Sequence, residues 1–454
     1  MIIKQEDADT MTEWIESTPD AYLTTKEPEA FIAVSSSDLQ LTGKELQELR
    51  GFGGCFNELG YLPLNTLDKN KQQEIYHDLF SPDELNFRFN RTPIAANDFA
   101  ESWYSYDEND GDYDLKSFSI DHDKKTLIPY IQNAKKYQPD FELFASPWSP
   151  PTWMKFPKAY NFGKIVMTSK NLQSYANYFV KYIQAYAEQG IHIQRVCPQN
   201  EVFADQKFPS CVWSSDDLRV FIRDYLGPTF EKAGLDTEIF LGTLNGPEDM
   251  SFTSTGVKLD NYNRYLDNIL FDDEARKYIK GVGYQWAGQH AIERTHASWP
   301  EIELIQTESE CGFGENSWDY AEYVFHLVNH YFTAGATAYT YWNIILGDSV
   351  STWGWHQNSM FSIDSKTHEV TRNPEYYVMR HYAHYIQPGA KVLGTTGHFH
   401  SMGMAFRNPD GSIVLVVQNA LKRALPFTFA DPQQPSKGVK ATLAPNSFNT
   451  FVID

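Results

Sequence analysis

Eight short segments rich in β-forming residues punctuate the middle of this chain, most of them separated by stretches of helical periodicity. They are Gly51–Phe56, Asn86–Pro93, Phe141–Pro147, Ile193–Pro198, Glu238–Thr243, Gly281–Gln285, Glu303–Thr307 and Ala338–Trp342. Amphipathic stretches such as Asn171–Gln189, Asp216–Ala233 and Trp318–Ala334 lie between them. In the first of these, Tyr175, Tyr178, Phe179, Tyr182 and Ile183 fall on one helix face, and Gly190 supplies a stop. Eight strands joined mostly through helices predict an α/β chain folded as a (β/α)8 barrel.

The two ends of the chain read differently. After Pro388-Gly389 come short alternating segments, among them Ser412–Gln418, which follows the turn Asn408-Pro409-Asp410-Gly411, and Asn449–Ile453. This pattern predicts a small β-sandwich. Phe31–Ser35 is strand-like, lies before the barrel, and is expected to add a strand to that sandwich. The reading divides the chain into an N-terminal segment at 1–45, a barrel at 46–387 and a C-terminal sandwich at 388–454.

Composition narrows the class. A 42% hydrophobic content over 454 residues is enough for a sizeable core, which excludes global disorder. Against 38 basic residues stand 59 acidic ones, a net charge of −21 that repels phosphate backbones, so no nucleic-acid partner is expected. The longest aliphatic run, Ile413 to Val417, is far short of the roughly 20 residues that span a bilayer, so no membrane insertion is expected. The start, Met-Ile-Ile-Lys-Gln-Glu-Asp, shows no apolar signal region, and a cytoplasmic location is the expectation. Cys55, Cys197, Cys211 and Cys311 form no Cys-x-x-Cys pair. The run Asp107 to Asp114 has Asp112 and Phe118 where a calcium loop needs glycine and glutamate, so it reads as a solvated acidic loop. Leu327 follows His326 where a zinc protease has glutamate, and no Gly-x-Ser-x-Gly elbow occurs.

In such barrels the chemistry sits where the strands run out. Asp98 follows the second strand, Trp148 the third, Gln199-Asn200-Glu201 the fourth and Glu308-Ser309-Glu310 the seventh, while Tyr341-Trp342-Asn343 closes the eighth. Carboxylates and tryptophans on one rim suit sugar chemistry. Aromatic faces stack on the C–H faces of pyranoses, and two carboxyl groups flanking a glycosidic bond can act as acid/base and nucleophile. Glu201 and Glu308 are far apart in the chain, and only the barrel makes them neighbours. Spacing leaves Glu308 and Glu310 open as alternatives. It leaves Glu58 open as a site or loop residue, and Trp353 and Trp355 as substrate platforms or packing.

Taken in order, these fragments resemble glycoside hydrolase family 30, the family of the glucosylceramidase-type retaining β-glycosidases. The resemblance rests on Gly51-Phe52-Gly53-Gly54, Arg91-Thr92-Pro93 through Asp98-Phe99, Ala145-Ser146-Pro147-Trp148 through Lys155, Gln199-Asn200-Glu201, Thr307-Glu308, Tyr341-Trp342-Asn343 and Gln357-Asn358. It implies a retaining β-glycosidase, most simply β-glucosidase-like, with β-xylosidase, β-1,6-glucanase or galactanase activity, or silent carbohydrate binding, as alternatives. It implies Glu201 as acid/base and Glu308, rather than Glu310, as nucleophile, with carboxyl groups roughly 5–5.5 Å apart. Asp98, Trp148, Trp286, Trp342 and Asn358 would hold the sugar, Asn200 would contact its 2-hydroxyl, and Arg91 would orient a catalytic carboxylate. No metal or organic cofactor is implied. Gln285 and Ala287 stand where glucosylceramidases have a histidine and a tyrosine.

Overall fold

The structure, a computed structural model, describes residues 12–31, 37–245, 262–310 and 312–454. All eight expected strands are present and parallel. They are β1 (Gly51–Cys55), β2 (Phe89–Ile94), β3 (Glu142–Pro147), β4 (Arg195–Val196), β5 (Glu238–Leu244), β6 (Ile279–Gln285), β7 (Glu303–Glu308) and β8 (Ala338–Asn343). β8 pairs with β1 from Ala338 opposite Gly51, and a bridge between Leu304 and Ala336 closes the ring between β7 and β8.

The barrel interior is stacked in layers along its axis. Phe89, Phe144, Phe240, Ile305 and Ala338 from five strands, with Cys197 just past β4, form one buried cluster. β1 and β6 bring glycine. A Cβ on Gly53 would lie 1.8 Å from the Phe89 carbonyl oxygen, and one on Gly281 would lie 2.0 Å from the Phe240 ring. Two guanidinium groups bracket these rings. Arg195 lies 5.2 Å from the Phe89 ring and 5.5 Å from that of Phe240, and it pairs with Glu142 and Glu238 at the strand starts. Arg91 lies 5.9 Å from Phe144 and points toward the opposite rim.

Around the barrel, the helix Ser169–Glu188 starts on a Thr168 cap and buries Tyr175, Tyr178, Phe179, Tyr182 and Ile183. The stretch expected as one helix over 216–233 is broken into Ser215–Phe221, a π-helical turn Ile222–Leu226, and Gly227–Ala233. Pro228 has no N–H to give to the carbonyl one turn back, so the ladder shifts register there.

The sandwich is a curled ten-stranded sheet. In spatial order its strands are Ala21–Lys26, Thr12–Thr18, Ser447–Ile453, Ile413–Asn419, Gly403–Arg407, Lys391–Thr396, Leu39–Glu48, Leu425–Ala430, Gly438–Leu443 and Glu29–Phe31. The N-terminal part therefore gives it four strands, more than the single one expected. Of the expected Phe31–Ser35, only Phe31 is strand, and residues 32–36 lie outside the described residues. Trp14 stacks on Phe451 at 5.3 Å and donates to Asn449 Oδ1 at 3.0 Å, which ties the N-terminal strand into the sandwich core. Among the described residues no helix is long and apolar enough to cross a membrane.

A buried histidine pins the sandwich to the barrel. His381 lies on the helix Pro374–Ala383 and is wholly buried. The Thr450 hydroxyl donates to the His381 carbonyl oxygen at 2.8 Å, so at 2.9 Å it accepts from His381 Nδ1. Nε2 accepts a hydrogen bond from the Ser17 hydroxyl at 2.8 Å. Burial pushes the ring down from 6.5 to about 3. The unfolded chain then binds a proton below pH 6.5 that the native ring refuses, so this contribution to stability is lost as pH falls from 6.5 toward 3. In urea titrations the parent should lose about 1.4 kcal/mol more per pH unit across that window than His381→Gln does. Equal slopes would show that this ring does not couple folding to protons.

Candidate active site

The ends of the strands converge on a narrow pocket lined by Asp98, Trp148, Asn200, Glu201, Phe208, Trp286, Glu308, Ser309, Glu310, Trp342, Trp355 and Gln357. Glu308 is the last residue of β7, and Glu201 follows β4 in a turn where its own φ is +50°. That turn is held by Asn200 N–H donating to the Pro147 carbonyl at 2.7 Å and Glu201 N–H donating to Thr243 Oγ1 at 3.1 Å.

Arg91 organises the floor. It is fully buried, and its Nη1 donates to Glu308 Oε2 at 2.7 Å and to the Thr307 carbonyl at 3.2 Å. Its Nη2 donates to Ser146 Oγ at 2.7 Å and to Asn200 Oδ1 at 2.6 Å. Trp148 and Trp342 cover the guanidinium at 4.7 and 5.5 Å. Asn200 Oδ1 also accepts from Thr243 Oγ1 at 3.1 Å, so the group Asn200 can offer a ligand is its Nδ2 donor.

Gln285, the last residue of β6, stands between the two carboxyl groups. Its Nε2 donates to Glu201 Oε1 at 2.5 Å and to Glu308 Oε1 at 3.0 Å. Two oxygens at those distances from one nitrogen are at most 5.5 Å apart. Burial and the neighbouring Glu308 push Glu201 up to about 7. Burial raises Glu308 too, but the Arg91 charge and hydrogen bond oppose it, so Glu308 ionises before Glu201. The pair is thus biased toward one acid and one carboxylate near neutrality. Burial first, then Glu308 and Glu201, hold Asp98 well above the ordinary carboxylate range, and its Oδ1 has no hydrogen-bond partner.

A chain of amides ties the rim together. Asn97 Nδ2 donates to Asn57 Oδ1 at 2.7 Å, Asn57 Nδ2 to Asn343 Oδ1 at 2.9 Å, and Asn343 Nδ2 to Gln357 Oε1 at 2.8 Å. It links the ends of β1, β2 and β8 to a pocket-lining side chain. The loop carrying Asp98 is anchored beneath by Asp123, which accepts from the hydroxyls of Tyr104, Tyr106 and Tyr186, each at 2.6 Å. Tyr106 in turn accepts from Ala95 N–H at 2.8 Å.

Of the residues expected from sequence, the structure brings Asp98, Trp148, Asn200, Glu201, Trp286, Glu308 and Trp342 to one pocket, with Arg91 under it. Asn358 departs from expectation. It is fully buried, and its Oδ1 accepts from Gly314 N–H at 2.8 Å while its Nδ2 donates to Glu375 at 2.7 Å, so it braces the loop and its neighbour Gln357 lines the pocket. Glu58 is spent on Thr126, His122 and the Glu101 N–H at 2.7, 2.7 and 2.9 Å, beneath the Asp98 loop. Glu310 lines the pocket, but its carboxylate is held by Tyr320 and by Gly312 N–H. Trp353 and Trp355 wall an adjoining cleft that also reaches Glu201 and Trp286. Asp107 is buried rather than solvated, with its carbonyl bound by Trp153 Nε1 at 3.0 Å. Cys311 lies outside the described residues. Sequence reasoning did not assign Gln285, Thr243, Ser146 or the amide chain. The available signal was a polar residue at or just past a strand end.

Comparison with known proteins identifies the two domains. Residues 49–386 match the glycosyl hydrolase family 30 TIM-barrel domain, and residues 389–451 match that family's beta sandwich domain. Mouse lysosomal acid glucosylceramidase is 27% identical over 442 residues, spanning 90% of this chain and 82% of that protein. An endo-1,6-beta-D-glucanase of Aspergillus fumigatus is 27% identical over 409 residues, spanning 82% of this chain and 78% of that protein. The crystal structure of SrfJ from Salmonella typhimurium superposes with a TM-score of 0.87 at 24% identity, covering 97% of this chain and 99% of that one.

Proposed function

The chain belongs to glycosyl hydrolase family 30, and from that premise we propose that it is a retaining β-glycosidase acting on β-D-glucosyl units. The observation that carries the reading is the spacing of its two carboxyl groups. Retaining enzymes place them about 5–5.5 Å apart, whereas inverting enzymes leave about 6.5–9.5 Å for a water. One amide nitrogen bonded to both groups, with the bridged oxygens of Glu201 and Glu308 no more than 5.5 Å apart, fits the shorter spacing.

Glu308, ionised and steadied by Arg91, attacks the anomeric carbon. Glu201, still protonated, gives its proton to the departing oxygen, and the two form a covalent glucosyl-enzyme and a free alcohol. Glu201, now a carboxylate, takes a proton from the water that releases the sugar. Asn200 Nδ2 is placed to donate to the 2-hydroxyl, Asp98 to accept from hydroxyls farther round the ring, and Trp148 and Trp342 to bound the sugar face. Glucose is favoured because the names of the glucosylceramidase and 1,6-glucanase relatives share that sugar.

A panel of aryl β-glycosides tests this, with glucoside, xyloside, galactoside and fucoside side by side and β-1,6-glucan as a polymer control. Release from the glucoside by at least tenfold over the others is the expected result. Preference for the xyloside would reassign the sugar, and silence on every substrate would favour a catalytically silent binding protein.

A further inference from the structure

Gln285 is placed to do more than fill space between two acids. Its backbone pairs with Glu308 across β6 and β7, its carbonyl accepts from the Tyr331 hydroxyl, and its side chain is wholly buried. The amide nitrogen is therefore held on a rigid frame, and its two N–H groups are divided between Glu201 Oε1 and Glu308 Oε1. A carboxylic acid carries its proton on one oxygen, and that hydroxyl oxygen is the poorer acceptor. An oxygen already accepting at 2.5 Å from a fixed N–H is thus the carbonyl oxygen of the acid.

We infer that Gln285 is a positioning residue that fixes Glu201 Oε2 as the oxygen that carries the acid's proton and delivers it to the leaving group. The inference rests on the glycosidase reading above. In the first half-reaction the Oε2 proton moves to the glycosidic oxygen as its bond to the anomeric carbon breaks. The electron pair leaves with that oxygen, and a Glu308 oxygen bonds to the carbon. In the second half-reaction water bonds to the carbon, the Glu308 bond breaks, and the water's proton returns to Glu201. Through both steps Oε1 stays engaged with the amide, so the acid does not rotate between uses. An amide has no ionisation in this range, so the bridge holds whichever of the two carboxyl groups is charged.

The charged groups facing Glu201 are Glu308 from β7, Arg91 from β2 and Asp98 from the loop after β2, with Glu310 on the same pocket wall. Gln285→Met keeps the length and excludes water but removes both donors, leaving those charges in place. The test compares kcat/KM for an alkyl β-glucoside, whose leaving group needs the proton, with that for a dinitrophenyl β-glucoside, whose leaving group does not. Q285M should lose about a hundredfold on the alkyl glucoside and only a few-fold on the dinitrophenyl one. The alkaline limb of the pH profile, set in the parent by an acid at about 7, should move up by about one pH unit. A donor that stabilised the ionised acid has gone, so the proton is held more tightly.

Equal losses on both substrates with an unmoved alkaline limb would overturn the inference, as would wild-type rates. If Q285M does not fold, Gln285→Asn carries the same test, because its amide stays polar but is one carbon short of the two carboxyl groups. A parent that cleaves neither substrate overturns the glycosidase reading and this inference with it. A parent that cleaves both, beside a variant that loses equally on both, overturns this inference alone.

Discussion

Replacing Glu308 with glutamine is expected to lower kcat/KM by about four to six orders of magnitude while the protein keeps its fold. The loss is large because, among the described residues, Glu308 is the carboxyl group that Arg91 holds and whose pKa its charge opposes raising, whereas Asp98 is held well above the ordinary carboxylate range. Glu310, the next carboxylate along the rim, is held by Tyr320 and by the Gly312 N–H. The fold survives because the amide oxygen of the new side chain can accept from Arg91 Nη1 as Glu308 Oε2 does. Its nitrogen would then face the Gln285 donor, which costs one hydrogen bond of about 1 kcal/mol and leaves the bond to Glu201 in place. The measurement is steady-state turnover of an aryl glucoside alongside thermal unfolding. In the parent, a slow 2-fluoro glucoside should leave a mass adduct on Glu308. Activity within tenfold of the parent, or an adduct on Glu310, would remove Glu308 from the role of nucleophile.

Glu201→Ala has the second largest expected effect and a different signature. Without a proton donor, substrates with poor leaving groups should slow by about two to four orders of magnitude. Substrates with good leaving groups should still glycosylate Glu308 and then stall, because nothing activates water. Azide needs no base and fits the space vacated by the carboxyl group, so it should restore turnover and give the β-glucosyl azide. An α-azide, or no rescue, would contradict a double displacement with Glu201 as acid/base.

The barrel was legible in the chain because a parallel strand buried on both sides is a short β-rich run with abrupt ends, and most of the eight announced themselves that way, although Asn86–Pro93 carries Arg88, Asn90 and Arg91 among its apolar residues. β4 shortened to Arg195–Val196. Beyond it the backbone still bonds to its neighbours, with Cys197 N–H on the Ala145 carbonyl at 2.9 Å and Gln199 N–H on Gly242 at 3.2 Å, but it turns to present Glu201. The N-terminal strands were nearly invisible. Ala21–Lys26 has no buried face at all, so there was no alternation to read. At the site, strand-end position located Glu201, Glu308, Asp98 and the tryptophans. It could not separate Asn358 from Gln357, since adjacent amides in a loop differ only in which way they face. Nor could it foresee that Gln285 would bridge both carboxyl groups, because that depends on side-chain reach across two strands.

The amide chain from Asn97 through Asn57 and Asn343 to Gln357 has a consequence for how such an enzyme can change. Its first three members join strand ends to one another, and replacing any of them breaks the frame. Only Gln357 has its outer side in the pocket, on the segment that also carries Trp353 and Trp355. Mutation is therefore partitioned. A change at Gln357 breaks one bond at the outer end of the chain, whereas a change at Asn57 or Asn343 leaves buried amide groups unpaired between strand ends.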